Sequence, residues 1–407
     1  MVAEQAAHRR WLDEEGARLL DFAEASAVDG GFGWLDERGD VDHERGIDVW
    51  ITARMTHCFA LAHLRGRAGA FDMVSHGMEA LIGPMRDHDN GGWFARIGGA
   101  AGGDETKALY AHAFVVLAAS SATAAGHPDG QCLLDHALDV LDEHFWDEEA
   151  SLGRESFGPA WDRGEDYRGV NANMHAVEAY LAAADVTGRE ELLKRAVAIT
   201  QRVVDGFARE HSWLLPEHYT ADWEPVLDYN LSEPAHPFRP YGVTIGHLLE
   251  WSRLTLNVEA AAKRAGMPAV EWAVPAAKAL YRKAVKHGWA ADGSPGFVYT
   301  VDFEGKPVVT ERIHWVVAEA IGAAVALWQR TGEYEFSNDY VAWWDYAKQV
   351  LIDLDGGSWW HEVDSQARPS RTVWDGKPDI YHAYQATLFV QLPLSPSLAT
   401  ALRDASA

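Results

Sequence analysis

The chain has 407 residues, of which 48% are hydrophobic and 24% charged, enough apolar residue for a large buried core. Its formal net charge of −26 at pH 7 would repel a polyanion, and no Lys/Arg cluster offers a basic groove, so nucleic acid is not expected as a partner. Residues 1–10 lack the apolar core of a signal peptide, and no uncharged apolar run reaches the roughly 18 residues of a membrane span, so a cytoplasmic protein is expected.

Helical periodicity recurs about twelve times. The spans are 6–27, 47–66, 70–87, 104–126, 130–147, 169–186, 189–210, 241–264, 270–288, 310–331, 336–353 and 378–391. The tail from Leu394 is expected to be a short helix or frayed. Gly- and aromatic-rich segments lie between helices, at Gly30–Trp34, Gly91–Phe94, Ser151–Glu155, Ser212–Pro216, Gly296–Tyr299 and Gly356–Trp360. Each is expected to form a short extended hairpin beside a helix pair. Six helix pairs argue for an all-α (α/α)6 barrel with short β-hairpins in its loops, formed by residues 1–407 as a single domain. A helical solenoid would repeat at about 34 to 47 residues, shorter than the spacing seen. Cys58 and Cys132 both fall in apolar helical stretches and read as buried free thiols. Eighteen Trp are many for this length; most would fill the core, but indole faces also suit carbohydrate.

Every second helix carries unusual polar groups. The second has Arg54 among apolar residues, which needs a compensating anion: a carboxylate in a structural role, or an enediolate-like oxygen in a catalytic one. The fourth has Tyr110. The sixth has Asn171, His175 and Glu178 on one face. The eighth has His247 and Glu250 one turn apart, a spacing at which the carboxylate would orient the imidazole, and Phe238, Arg239 and Tyr241 precede it. The tenth has Arg312, Trp315 and Glu319, and the twelfth Asp379 and His382, with Asp379 also placed to cap the helix. Each alone is weak. Their recurrence at 54, 110, 175, 247, 315 and 382, spaced by about 56 to 72, matches the hairpin repeat and in a barrel would bring them to one opening.

Three histidines invite a metal, but no local HxxxH or HxxEH motif occurs on these helices. Glycoside hydrolysis would need two carboxylates, for which Glu178, Glu250 and Glu319 are available. Histidines dominate instead, which favours proton transfer near neutral pH.

Four segments carry a resemblance over nearly the whole chain: Trp50–Met55, Asn171–Glu178, Gly246–Trp251 and Asp379–Tyr384. In them the chain resembles the N-acylglucosamine 2-epimerase superfamily, in its branch of D-mannose and sulfoquinovose isomerases. The resemblance implies metal-independent chemistry without a cofactor, on a monosaccharide. It makes His382 the C2 base and gives His247, supported by Glu250, to ring opening. His175 lies beside the sugar hydroxyls and Arg54 holds the developing oxyanion. Tyr110, Asn171, Phe238, Trp315 and Glu319 line the sugar. Proton return to C1 gives a ketose, and return to the other face of C2 an epimer, so both outcomes stay open. D-Mannose to D-fructose is preferred. Sulfoquinovose, which needs a further cation such as Arg239, and a non-catalytic carbohydrate-binding barrel are the alternatives. A monomer and a homo-oligomer are equally compatible with the sequence.

Overall fold

A computed structural model describes residues 6–406. They form thirteen α-helices: α1 Ala6–Ala23, α2 Val49–Leu64, α3 Ala70–Ile82, α4 Leu109–Ala124, α5 Gly130–Val140, α6 Val170–Thr187, α7 Glu190–Thr200, α8 Ile245–Arg264, α9 Ala273–Gly288, α10 His314–Thr331, α11 Tyr334–Tyr346, α12 Tyr381–Phe389 and α13 Leu398–Ser406. Each expected span contains one. The spans 130–147, 189–210 and 336–353 differ in their last turns, which widen into π-helix at Leu141–Phe145, Gln201–Ala208 and Ala347–Leu351. No helix among the described residues is long and apolar enough to cross a membrane.

The chain divides into two compact units: residues up to Leu19 with 200–377 and 382–394, and 20–199 with 378–381 and the residues from 395. In the second unit, α4 lies between α2 and α6, α3 packs on α2, α5 packs on α4, and α13 touches α2, α4 and α6. In the first, α8 and α10 are neighbours flanked by α9 and α11, and Gly16 of α1 sits against Tyr384 and Thr387 of α12.

Burial separates the two kinds of helix. In α2 every residue from Val49 to Ala62 is buried, whereas α3 buries mainly a stripe through Ala70, Val74, Gly77, Met78 and Leu81. A helix covered on all sides has no need of a polar face, and one covered on one side shows the 3.6-residue stripe. Polar groups on the fully covered helices are therefore the informative ones.

Short strands fix where those helices begin. Ile47–Asp48 pairs with Arg96–Ile97, Lys107–Ala108 with Ser156–Phe157, Val243–Thr244 with Thr300–Val301, and Arg312–Ile313 with Glu362–Val363. Each first strand leads directly into α2, α4, α8 or α10. The first helical N–H groups of Val49, Leu109, Ile245 and His314 then donate to the carbonyls of Ala95, Glu155, Tyr299 and His361, at 2.9–3.1 Å. A helix start normally leaves such donors without partners, and here the sheet satisfies them in place of a side-chain cap. The expected hairpins after the outer helices are present at Ala27–Phe32, Arg86↔Trp93, Trp146–Gly153, Trp289↔Phe297 and Ile352↔Trp359. Residues 212–216 instead form a turn, with Ser212 and Trp213 at positive φ.

Two of these loops share a staple. Lys107 Nζ, fully buried, lies 2.7 Å from Asp87 Oδ2 and 2.6 Å from the Gly91 carbonyl, under the Trp161 ring. Lys377, equally buried, repeats this with Asp353 (2.6 Å), Gly357 (2.7 Å) and Trp360. Arg312 belongs to the entry strand rather than to α10. It is spent on Asp292 (2.6 and 2.8 Å) and on the Ser294 and Pro295 carbonyls, a structural role. Cys58 is a buried thiol as expected, but Cys132 is exposed, because α5 turns that position outward.

Candidate active site

Arg54, Tyr110, His175, His247, Trp315 and His382 all sit in the first two turns of α2, α4, α6, α8, α10 and α12. For α2, α4, α8 and α10 these are the turns pinned by the entry strands.

In the first unit, two histidines share one design. His247 Nδ1 is 2.9 Å from Glu217 Oε2, and His382 Nδ1 is 3.0 Å from Glu319 Oε1. All four side chains are buried. A carboxylate at Nδ1 fixes the ring's rotation and its tautomer, with the proton on Nδ1 and Nε2 left as the basic nitrogen. Trp315 packs against both imidazoles, its ring centroid 5.2 Å from that of His247 and 5.6 Å from that of His382, each pair inclined by 31°. Gly246 admits this indole: a Cβ there would fall 2.1 Å from Trp315 Cζ3.

The partner of His247 differs from the expected one. Glu250, three residues on, faces Arg253, whose Nη2 is 3.4 Å from its Oε1. A buried carboxylate gains more from a full cation than from a neutral imidazole, and Arg253 stands at the same one-turn spacing. Glu217, in the loop before α8, takes the imidazole. Glu319 is likewise committed: one oxygen holds His382, and the other accepts from Arg253 Nε at 2.8 Å. Phe238 is exposed and meets Trp374 edge-on at 5.3 Å. The preceding Pro237 carbonyl accepts from Tyr299 OH at 3.3 Å, and Tyr299 in turn lies edge-on to Trp315. Arg239 reaches Tyr229 OH at 3.4 Å.

In the second unit, Arg54 donates to Asp379 Oδ2 (3.2 Å) and Tyr110 OH (2.9 Å), with its guanidinium carbon 4.3 Å from the Phe114 ring centre and 4.7 Å from that of Tyr381. Burial alone would lower its pKa, but Tyr110, Asp379 and Tyr381 outweigh that and hold it above the usual arginine value. Its Nε is buried and has no hydrogen-bond partner among the described residues. The Oδ1 of Asp379 also accepts the Tyr381 N–H at the start of α12, at 2.8 Å, the capping position considered for it, whereas its pairing with Arg54 had not been expected. His175 lies 3.8 Å from Glu178 Oε2 and stands edge-on to Tyr110, and Glu178 accepts a short hydrogen bond from Tyr381 OH. Asn171 is half-buried, with its Oδ1 enclosed and lacking a partner among the described residues. His57, on the same helix as Arg54, bonds Ser121 Oγ at 2.7 Å, and burial lowers its pKa to about 4.

Sequence reasoning missed Glu217, Arg253 and Tyr381. Arg253 had a signal, being a third charge at one-turn spacing after His247 and Glu250. Glu217, in a loop between two prolines, had none.

The family model described as N-acylglucosamine 2-epimerase (GlcNAc 2-epimerase) matches residues 30–386. A D-mannose isomerase from Thermobifida fusca is 50% identical over 402 residues, 98% of each chain. One from Pseudomonas cannabina pv. alisalensis is 47% identical over 396 residues, 97% of this chain and 95% of that one. A crystal structure of D-mannose isomerase, 29% identical, superimposes with a TM-score of 0.86 over 94% of this chain and 97% of its own. The fold is accordingly an (α/α)6 barrel with short strand pairs.

Proposed function

The chain belongs to the N-acylglucosamine 2-epimerase family and is an isomerase, and from that premise we propose that it interconverts D-mannose and D-fructose as a single cytoplasmic catalytic domain that uses neither metal nor cofactor. The observation that carries the chemistry is the indole of Trp315 in contact with two imidazoles, each anchored at Nδ1 by a buried carboxylate. An indole face is a platform for a sugar's C–H surface, and an Nδ1-anchored imidazole presents Nε2 as acid or base near neutral pH. The choice of sugar rests on the full-length similarity to D-mannose isomerases.

The steps follow from these roles. His247, held by Glu217, moves the proton that opens the sugar ring. His382 Nε2 takes the C2 proton of the open aldose; the C2–H electron pair becomes the C1=C2 bond of a cis-enediolate, and the aldehyde oxygen takes up the charge. The proton then returns from His382 to C1 on the electron pair of the C1=C2 bond, while the O2 hydroxyl proton passes to the charged O1, so that O1 becomes a hydroxyl and O2 the ketose carbonyl. Arg54 is assigned to the oxyanion by the family resemblance, and its Asp379 partner tempers that charge while Nε remains to donate. His175, Tyr110, Asn171 and Phe238 are assigned to sugar hydroxyls and ring faces. Glu250 moves from the support of His247 to the Arg253 cluster.

The test is a proton NMR time course in D2O with EDTA-treated protein and D-mannose, beside His382→Asn and His247→Asn. Fructose carrying deuterium at C1, abolished by His382→Asn, is expected. Glucose as the product would make the chain a 2-epimerase. Turnover of sulfoquinovose but not mannose would move the substrate. Saccharide binding without turnover, unchanged in both variants, would replace the enzyme reading by a binding one.

A further inference from the structure

We propose that Arg253 is the positioning residue of the His382 base, acting through Glu319; this rests on the isomerase reading above. Arg253 lies on α8, nearly fully buried, between two carboxylates that are more buried still. Its Nε donates to Glu319 Oε2 at 2.8 Å and its Nη2 approaches Glu250 Oε1 at 3.4 Å. The other oxygen of Glu319 receives His382 Nδ1 at 3.0 Å. Glu319 is thus a two-ended clamp, one oxygen on a cation and one on the base. With Oε2 pinned, the carboxylate cannot rotate, and the imidazole it holds keeps one ring orientation.

The slot for Arg253 is built. A Cβ at Gly322 of α10 would come within 2.9 Å of Arg253 Cδ and of the Phe389 ring, so glycine there is what lets the arginine stem pass. Phe389 of α12 lies under the guanidinium, 5.0 Å from its carbon to the ring centre. Helices α8, α10 and α12 therefore meet on this one side chain, and α12 is the helix that carries His382.

The charges point the same way. Glu250 and Glu319 are two anions against one guanidinium. The tighter contact is to Glu319, at 2.8 Å against 3.4 Å for Glu250, so the cation bears chiefly on the carboxylate that holds His382. Without Arg253 both buried carboxylates lose the cation they face, and Glu319 Oε2 loses the 2.8 Å bond that holds it in place.

The experiment uses the full chain with Arg253→Met, which keeps the stem and removes the charge, Arg253→Lys, which restores a cation, Glu319→Gln, and the Arg253→Met/Glu319→Gln pair. Thermal unfolding confirms which variants are folded. With D-mannose, Arg253→Met is expected to lower kcat about 30-fold or more with KM within threefold, to raise the isotope effect on kcat for mannose deuterated at C2, and to regain part of the rate as Arg253→Lys. The double variant is expected to be no slower than Glu319→Gln alone, because both substitutions break one clamp. Additive losses, or a folded Arg253→Met within twofold of the parent kcat, overturn the proposal. A second readout needs no substrate: the Nδ1 proton resonance of His382, identified by its loss in His382→Asn, is expected to shift in Arg253→Met and return toward its place in Arg253→Lys. If that resonance is unmoved, Arg253 does not position His382. A parent protein inert toward mannose refutes the proposed function while this readout still decides the role of Arg253.

Discussion

Glu217→Gln isolates the carboxylate behind His247 at almost no steric cost. The Nδ1–Oε2 distance is 2.9 Å and both groups are buried, so the bond is shielded from water. A hydrogen bond to a charged acceptor contributes about 1.5–3 kcal/mol and a neutral one about 1 kcal/mol, so the amide forfeits roughly 0.5–2 kcal/mol of the bond. It also loses the attraction between carboxylate and imidazolium as the ring takes a proton, at most about 4 kcal/mol at 4 Å and an effective dielectric of 20. A loss of about 1.5–3 kcal/mol in the transition state is therefore expected, a fall in kcat of about 10- to 100-fold. The amide can still occupy the site, so the melting temperature should move by only a few degrees. The assay is initial-rate fructose formation from D-mannose, with the thermal melt in the same buffer. A folded Glu217→Gln variant with kcat within threefold of the parent would show that His247 needs no carboxylate, and the assignment of Glu217 would fail.

Gly246→Ala should cut activity rather than raise stability: alanine ordinarily favours a helix over glycine by about 1 kcal/mol, but here its methyl meets Trp315 at 2.1 Å, so KM for mannose should rise at least about tenfold in steady-state kinetics. Lys107→Met should destabilise by about 3–5 kcal/mol in urea titration, because it leaves Asp87 buried without its cation, whereas the exposed pair of Lys306 and Glu304 can be removed with little change. Stability should also fall in mild acid. Burial holds the pKa of His112 down at about 3, helped by Lys107 and opposed by the Ala108 carbonyl, and that of His57 at about 4. Both are depressed below the unfolded value near 6.5, so the unfolded chain binds more protons between those limits. Stability is full above pH 6.5 and is lost as pH falls toward 4, at up to about 1.4 kcal/mol per pH unit for each histidine; urea midpoints at pH 7.5, 6 and 5 check this, and a flat profile would contradict it. His112 shows why: its Nε2 accepts the Trp93 N–H at 3.1 Å while its Nδ1 bonds the Ala108 carbonyl at 2.8 Å, an arrangement only the neutral ring satisfies.

Local and periodic features are legible in the amino-acid sequence. The twelve helical spans follow from the spacing of Ala, Leu and Val, and the recurrence of Arg54, Tyr110, His175, His247, Trp315 and His382 follows from the hairpin repeat, because a repeated unit places equivalent residues at equivalent helix starts. Which charges meet depends on how the helices pack. One-turn spacing put Glu250 beside His247, but it put Arg253 beside Glu250 as well, and spacing carries no information on which of two neighbours a carboxylate will choose. Glu217 reaches His247 from a loop 30 residues earlier, and Glu319 reaches His382 across 63 residues. Arg54 finds Asp379 across 325 residues. In a buried site such pairs are selected by desolvation, which costs an unpartnered charge far more than a misplaced one on the surface, and the selection is made only when the helices are packed. The same holds for the π-helical ends of α5, α7 and α11: their sequences continue the amphipathic stripe, and the added residue per turn is imposed by the hairpin or turn each must enter.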